Sequence, residues 1–235
     1  MPQFVYTSTH TNQLISKSSP IWTEPLPLSR NSFSDRLKEE SRKDVRYQDY
    51  FRAARIFLER NHYEKLTGAA TFLLKRVITP EEIEAIHICL EKHGEFYHPA
   101  RIEIIGQGFQ IPLVLNVAVS DNGKNRIEAE YNNLKRLNKK FSYAFLPIVY
   151  GRGDVLLKDS GFEIRMFLGE WFEGFNEFHL SRDPKVGKNK IIVWDPVQGN
   201  FFLSSAQTAT LYQQAAKILT CYYNVETFEQ IFSWH

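Results

Sequence analysis

Four side chains of the kind that bind metals lie close together near the middle of the 235-residue chain: His87, Cys89, His93 and His98. Imidazole and thiolate groups are usual ligands of Zn²⁺, and Cys89 and His93 have the i, i+4 spacing that brings two ligands together on a helix. On the same helix, however, His87 and Cys89 would point to different faces, and no second Cys/His pair follows. We therefore favour ordinary helix residues over a zinc site.

A pair of glycines, Gly106 and Gly108, encloses Gln107 a short distance further on. Glycine lets backbone N–H groups approach phosphate oxygens closely, but a tight β-hairpin needs the same residues without any ligand. Both interpretations stay open. Residues 123–125 and 187–189 also pair glycine with lysine, yet they lack the upstream glycine and the following Ser or Thr of a P-loop. No G-x-S-x-G sequence marks a serine nucleophile.

The N-terminal section predicts an arm followed by helices. Residues 1–40 are rich in Ser, Thr, Asn and Pro, which is typical of an extended or mobile segment, here pinned by Trp22. Residues 41–97 carry apolar side chains at helical spacing. The helices expected in this block run over 43–60, 63–77 and 79–94, the last opening with a capping box at Thr79 and Glu82 and ending at Gly94.

The section after Pro99 has the alternation of β-strands interrupted by one amphipathic helix. In chain order we expect strands over 101–105 and 111–119, a helix over 126–138, strands over 145–150, 162–167 and 190–194, a long helix over 205–223 and a last helix from about Glu226.

This order of elements resembles the small lobe of the protein-kinase-like and aminoglycoside-phosphotransferase-like superfamily, over roughly residues 99–235. Residues 117–120 (VAVS) stand where that family reads Val-Ala-Ile-Lys, and residues 166–174 (MFLGEWFEG) resemble its hinge. The resemblance implies ATP with Mg²⁺ as the ligand. It assigns Gly106, Gly108 and Phe109 to the phosphates, Leu168, Glu170 and Trp171 to the base through their backbones, and Glu130, or else Glu128, to the ion pair between helix and strand.

Two departures from the family pattern concern the chemistry. Ser120 occupies the lysine position, so the usual phosphate-binding cation is missing, and Lys124 or Arg126 would have to replace it. The chain also stops at His235, about where a catalytic loop would begin. Because phosphoryl transfer relies on positioning and electrostatics, we expect no activity from this chain alone, and no catalytic base or metal ligand is assigned.

Composition excludes several classes of protein. The net charge of +2 gives no field that selects nucleic acid or an anionic membrane. The sequence contains no run of about 18 apolar residues and no signal-peptide pattern, and two distant cysteines do not suggest a disulfide framework. A cytoplasmic location is the expectation.

The fold class expected is α+β, with a helical N-terminal block, a kinase-like antiparallel sheet lobe with one packed helix, and C-terminal helices. The domains expected are an arm (1–40), a helical block (41–97), a small lobe (98–175) and a partial large lobe (176–235). The function expected is that of the nucleotide-binding portion of a kinase-like phosphotransferase. The alternative is a non-catalytic interaction module that binds a protein partner or a second copy through Phe228, Ile231, Phe232 and Trp234.

Overall fold

The computed structural model describes residues 1–9, 13–27, 44–94, 96–195 and 197–230. The chain divides into two compact units, Met1–Trp171 and Phe172–His235. Three α-helices, a seven-stranded mixed sheet and a three-stranded sheet are found in the described residues, which confirms the α+β class. None of the helices described there is both long and apolar enough to cross a membrane.

The first unit is built on the seven-stranded sheet, in the order β2-β1-β3-β4-β5-β7-β6. Strand β1 runs parallel to β3, and the other neighbouring pairs are antiparallel. The elements of this unit are β1 (Gln3–Ser8), β2 (Gln13–Leu14), α1 (Tyr47–Leu74), β3 (Ile83–Leu90), β4 (Ala100–Gly106), β5 (Phe109–Ala118), α2 (Asp121–Lys140), β6 (Val149–Leu157) and β7 (Phe162–Glu170).

Side chains alternate between the two faces of this sheet, and one face forms the core. Ile86 and Ile88 on β3 and Met166 on β7 are fully buried there, and α1 covers them with Phe57 and Leu58. On the opposite face α2 packs against β5, β6 and β7. The buried apolar residues of α2 are Ile127, Leu134 and Leu137, which repeat at helical spacing as the sequence predicted.

The second unit contains a three-stranded antiparallel sheet and one helix. Its elements are β8 (Glu177–Asp183), β9 (Lys188–Trp194), β10 (Phe201–Phe202) and α3 (Ser205–Cys221). The capping box predicted for α3 is present, because the Ser204 hydroxyl accepts from the Gln207 N–H and the Gln207 side chain accepts from the Ser204 N–H. Strand β8 was not predicted.

The third predicted helix, over 79–94, is wrong. The capping box at Thr79 and Glu82 exists, but it starts a single 3-10 turn, Pro80–Glu82. Residues Ile83–Leu90 then form strand β3 in the middle of the sheet. Their apolar side chains at 86, 88 and 90 alternate with period two, which suits a strand between two partners. The predicted helical block therefore contains a central strand.

The expected N-terminal arm is also partly wrong, because Gln3–Ser8 pairs along its whole length with β3. Trp22 is buried, as expected for a pinning residue. The predicted arm residues 28–40 lie outside the described part of the chain. The predicted separation of two helices near residues 60–63 is confirmed, since α1 leaves helical geometry from Arg60 to Tyr63.

Two further predictions are wrong. The strand expected over 145–150 begins only at Val149, and the aromatic residues before it stack on one another, with ring centroids of Tyr143 and Phe145 4.9 Å apart. The helix expected from Glu226 is a turn over its described residues, where Tyr223 instead forms a β-bridge with Gln230.

Candidate functional site

The glycine turn is a two-residue β-hairpin between β4 and β5. Gly106 and Phe109 are register partners, and Gly108 has φ +79°, which favours glycine. A Cβ on Gly106 would lie 2.5 Å from the Glu82 carbonyl oxygen. Phe109 packs against the core beneath the Arg76 guanidinium. The hairpin and its packing thus account for both glycines.

The connector residues are largely engaged within the sheet. Leu168 is fully buried between β5 and β6. The Glu170 N–H donates to the Ile148 carbonyl at 2.8 Å, and the Glu170 carboxylate accepts from the Ile148 N–H at 3.1 Å. Trp171 follows the last strand and lies half-buried, with the Arg101 guanidinium 6.0 Å from its ring centroid. Of the three predicted base contacts, Leu168 is buried, whereas Glu170 and Trp171 are both half-buried.

The glycine turn and the connector are not brought together. Glu170 is aligned with Leu113 on β5, whereas Phe109 lies four residues earlier on that strand. At about 3.3 Å per residue this is about 13 Å along β5. The glycine turn and the connector therefore lie at different levels along β5.

Glu128 on α2 forms ion pairs with two strand arginines. Its carboxylate lies 2.6 Å from Arg165 Nη1 and 2.7 Å from Arg152 Nη1, and Arg165 Nε donates to Asp154 at 2.7 Å. The contact with Arg152, followed by the charge of Arg165, lowers the pKa of Glu128. Arg165 lies opposite Ala118 on β5. The strand next to β5 thus supplies a cation that pairs with the helix glutamate.

Glu130 has a different partner, the Tyr97 hydroxyl, which donates to its carboxylate. Ser120 caps α2, because its Oγ accepts from the Gly123 N–H at 3.1 Å. Of the two replacement cations that we considered, Lys124 lies 3.3 Å from Asp121 and Arg126 stacks 4.1 Å over the ring of Phe96. Both lie on the first turns of α2.

The loop between β3 and β4, residues 91–94 and 96–99, lies against the start of α2. Its backbone closes on itself, with the Glu91 N–H donating to the Pro99 carbonyl at 3.0 Å and the Gly94 N–H donating to the Tyr97 carbonyl at 3.1 Å. A Cβ on Gly123 would lie 2.1 Å from the Phe96 carbonyl oxygen. This loop and the first turn of α2 are therefore in close contact.

Two histidines fasten the same loop to α1. His93 Nδ1 lies 3.0 Å from His98 Nδ1, and His93 Nε2 lies 3.2 Å from the Tyr47 hydroxyl. The Tyr50 hydroxyl donates to the His98 carbonyl at 2.8 Å. His98 is only 3% exposed, and burial, followed by the nearby His93, lowers its pKa to about 4. A neutral imidazole at position 98 is thus part of the folded arrangement.

The sheet face beside this loop carries a row of polar side chains on β3 and β4. Arg101 Nη1 lies 3.1 Å from Glu103, and its Nε lies 3.3 Å from Glu91, a contact that lacks hydrogen-bond geometry. Burial raises the pKa of Glu91. Because β3 is a strand, His87 and Cys89 share this face, contrary to the helix that we predicted. Two carboxylates share one guanidinium here, so the row carries no surplus of positive charge.

These residues fit a nucleotide only in part. Trp171 offers an aromatic surface, but Arg101 and Arg165 are each held by two carboxylates. No three His, Cys, Asp or Glu side chains of the described ranges converge on a position for a metal ion, which applies both to magnesium and to the zinc site considered above. No protein-family model, curated protein or solved structure matches the chain.

Arg101 and Arg165 were not singled out from the sequence, although a signal for each was present. Arg101 and Glu103 alternate with Ile102 and Ile104, and Arg165 stands between the apolar residues Ile164 and Met166. A charged residue inside such a strand must lie on the face away from the core, where it needs partners. Which carboxylates serve as partners depends on the order of the strands.

Proposed function

We propose that this chain is the nucleotide-binding portion of a kinase-like phosphotransferase and that it does not transfer a phosphoryl group by itself. One observation carries the proposal. Helix α2 connects β5 to β6, the third and fourth strands in chain order of the antiparallel array β3-β4-β5-β7-β6, and packs on one face of the array, where a strand arginine holds a glutamate of α2.

The topology supports a different phosphate contact from the one that the sequence suggested. In protein kinases the lysine of the Val-Ala-Ile-Lys motif lies on the third strand of the sheet, and a glycine-rich loop covers the phosphates. Residues 117 and 118 here end β5, the third strand of the β3-β4-β5 meander, and Ser120 follows as the N-cap of α2. The hairpin at Gly108 joins the second and third strands, so the loop over 91–99 is the better candidate for the phosphates.

Basic residues around that loop favour this assignment. Lys92 belongs to the loop, and Arg126 and Lys124, the latter 3.3 Å from Asp121, lie on the first turns of α2, whose N-terminus adds a partial positive charge. The half-buried Trp171 would contact the base. In this arrangement the chain's own residues bind and orient a nucleotide, while the groups for transfer lie elsewhere.

Thermal unfolding of the whole chain with and without millimolar ATP and Mg²⁺ tests the proposal. A ligand that binds only the folded state stabilises it by about 2.7 kcal/mol at a hundredfold excess over its dissociation constant. We expect a clear increase in the melting temperature that Lys92→Gln combined with Arg126→Gln reduces. Gly108→Ala, in the other glycine turn, is the comparison: its Cβ meets no atom within 4 Å, but the φ of +79° strains the backbone, so the shift caused by ATP is measured against that variant's own melting temperature.

Two outcomes would count against the proposal. If the melting temperature of the folded protein does not change at saturating ATP and Mg²⁺, the chain does not bind this nucleotide. The second outcome is a stabilisation by ATP that Gly108→Ala abolishes and the Lys92/Arg126 double variant retains. It would indicate that the phosphates bind at the hairpin between β4 and β5.

A second candidate function, a protein-interaction module, is favoured by an apolar groove within the second unit. The groove has a volume of about 470 Å³ and is lined mainly by apolar side chains of β8, β9 and α3, among them Leu180, Ile191, Leu211 and Leu219. No residue of α3, all of which is described, is buried. Phe228 is 75% exposed, while the other predicted partner residues, Ile231, Phe232 and Trp234, lie outside the described part of the chain.

Sedimentation velocity over a range of concentrations tests self-association through this groove. We expect Leu219→Glu to reduce any dimer, whereas Leu156→Glu, a change at an exposed residue of the first unit, serves as the control. A chain that remains monomeric at every concentration would exclude the second copy as the partner.

A further inference from the structure

Three side chains from three different strands form a continuous hydrogen-bonded chain on the polar sheet face. Thr7 Oγ1 on β1 lies 2.8 Å from His87 Nε2 on β3, and His87 Nδ1 lies 3.2 Å from Glu103 Oε2 on β4. Strand register explains the contacts, because Thr7 is aligned with Cys89, two residues after His87, and His87 is aligned with Glu103. The sequence does not indicate this cluster, since 80 residues separate Thr7 from His87.

The distances define one arrangement of protons. An ionised Glu103 carboxylate can only accept, so His87 Nδ1 donates to it, and the neutral His87 Nε2 then accepts from the Thr7 hydroxyl. Arg101 Nη1, 3.1 Å from the other oxygen of Glu103, favours the ionised carboxylate. A hydroxyl, an imidazole and a carboxylate in this order form the arrangement in which a histidine removes the proton of a nucleophile.

The surroundings leave the hydroxyl and the imidazole within reach of a small molecule. The His87 side chain is 24% exposed and the Glu103 side chain 13%, and Thr7 is half-buried. Cys89, next to Thr7, is the other nucleophile of the cluster, but its thiol is buried, and burial raises its pKa. Thr7 is therefore the group that His87 can activate.

We propose that Thr7 is a nucleophile that accepts an acyl group from an activated ester, with His87 as its general base and Glu103 as the residue that orients His87. Thr7 Oγ1 forms a bond to the ester carbonyl carbon while His87 Nε2 takes the hydroxyl proton. The bond from that carbon to the leaving oxygen then breaks, and the imidazolium returns the proton to the departing alcohol. Water attacks the acyl-threonine in the same way and regenerates the hydroxyl.

The chain contains a matched control two residues away. Thr9 is also a threonine beside β3, but its hydroxyl donates to the backbone carbonyls of Leu90 and Glu91, with no imidazole among these partners. Thr7→Val and Thr9→Val are isosteric changes that both keep a β-branched residue. Each removes one hydroxyl, so a difference between them reports the environment of Thr7.

The experiment treats the whole chain with p-nitrophenyl acetate and measures release of p-nitrophenol together with the acetylated residue by peptide mass spectrometry. We expect acetylation of Thr7, loss of that label in Thr7→Val and its retention in Thr9→Val. Because general-base assistance contributes about 100- to 10,000-fold, His87→Gln should slow Thr7 acetylation by at least about 100-fold. Glu103→Gln should slow it by a smaller factor while the melting temperature shows that each variant is folded.

Two results would overturn the inference. The first is a folded wild-type chain in which lysines are acetylated but Thr7 is not. The second is equal acetylation of Thr7 in the wild type and in folded His87→Gln, which would show that the imidazole does not act as a base. Because ATP is absent from this assay, its outcome is independent of the nucleotide proposal.

Discussion

The buried imidazole of His98 should make the fold sensitive to mild acid. Its pKa is lowered from an ordinary 6.5 to about 4 in the folded protein, first by burial and then by His93. In the unfolded chain the imidazole is exposed and takes up its proton near pH 6.5. The unfolded state therefore binds more protons between these values, and the free energy of unfolding falls as the pH is lowered.

The size of the effect follows from the same two values. The contribution is fully present above pH 6.5 and is lost progressively as the pH falls to about 4. At 1.36 kcal/mol per pH unit, lowering the pH from 7.5 to 5 should cost about 2 kcal/mol from this group alone. The His93 ring and the hydroxyl of Tyr47 belong to the same cluster, and so the loop over 91–99 should open first.

Urea unfolding of the wild type and of His98→Gln at pH 7.5 and pH 5 measures this contribution. Glutamine keeps a hydrogen-bonding side chain but does not titrate in this range, so the variant should lose about 2 kcal/mol less than the wild type between the two conditions. Subtracting the two losses removes the contributions of the other titrating groups. Equal losses in the two proteins would refute the assignment of a neutral, buried His98.

Two further predictions concern packing. Gly106→Ala should lower the melting temperature, because its Cβ would lie 2.5 Å from the Glu82 carbonyl oxygen. In Gly68→Ala, within α1, the new Cβ meets no atom within 4 Å, so this variant should be more stable than the wild type by about 0.5–1 kcal/mol. A destabilised Gly68→Ala would contradict this reasoning. Leu58→Ala, in the core beneath the sheet, should cost about 2–5 kcal/mol in urea unfolding, while Leu156→Ala, at an exposed position, should change stability by less than about 0.5 kcal/mol. Similar values for the two leucines would contradict the placement of the core.

Local patterns predicted a large share of the elements. The alternation around residues 101–105 and 111–119, the amphipathic repeat of α2 and the capping box of α3 each act over a few residues, and each is confirmed. The polar N-terminal segment is the contrasting case. Its low apolar content suggested an arm, yet Gln3–Ser8 becomes a strand because β3 offers it a partner along its whole length.

The candidate sites depended much more on tertiary structure. Glycine at 106 and 108 is equally suited to phosphate and to a hairpin, and only the neighbouring Glu82 carbonyl and the register with Phe109 distinguish the two. Glu128 on α2 does form an ion pair, and its cation is Arg165 on β7, the strand next to β5. No spacing in the sequence indicates a partner that strand order brings into place.

By itself the sequence determined the apolar face of α2, which residues begin α3, and which faces of β4 and β5 are apolar, because propensity, capping and alternation depend on neighbours within a few positions. The tertiary structure decided that residues 83–90 form a strand and not a helix. The capping signal before them is correct, but β1 and β4 supply the hydrogen bonds of a strand. The tertiary structure also decided that Thr7, His87 and Glu103 meet. Side chains that are 80 residues apart come within hydrogen-bond distance only through the pairing of strands, which no local pattern encodes.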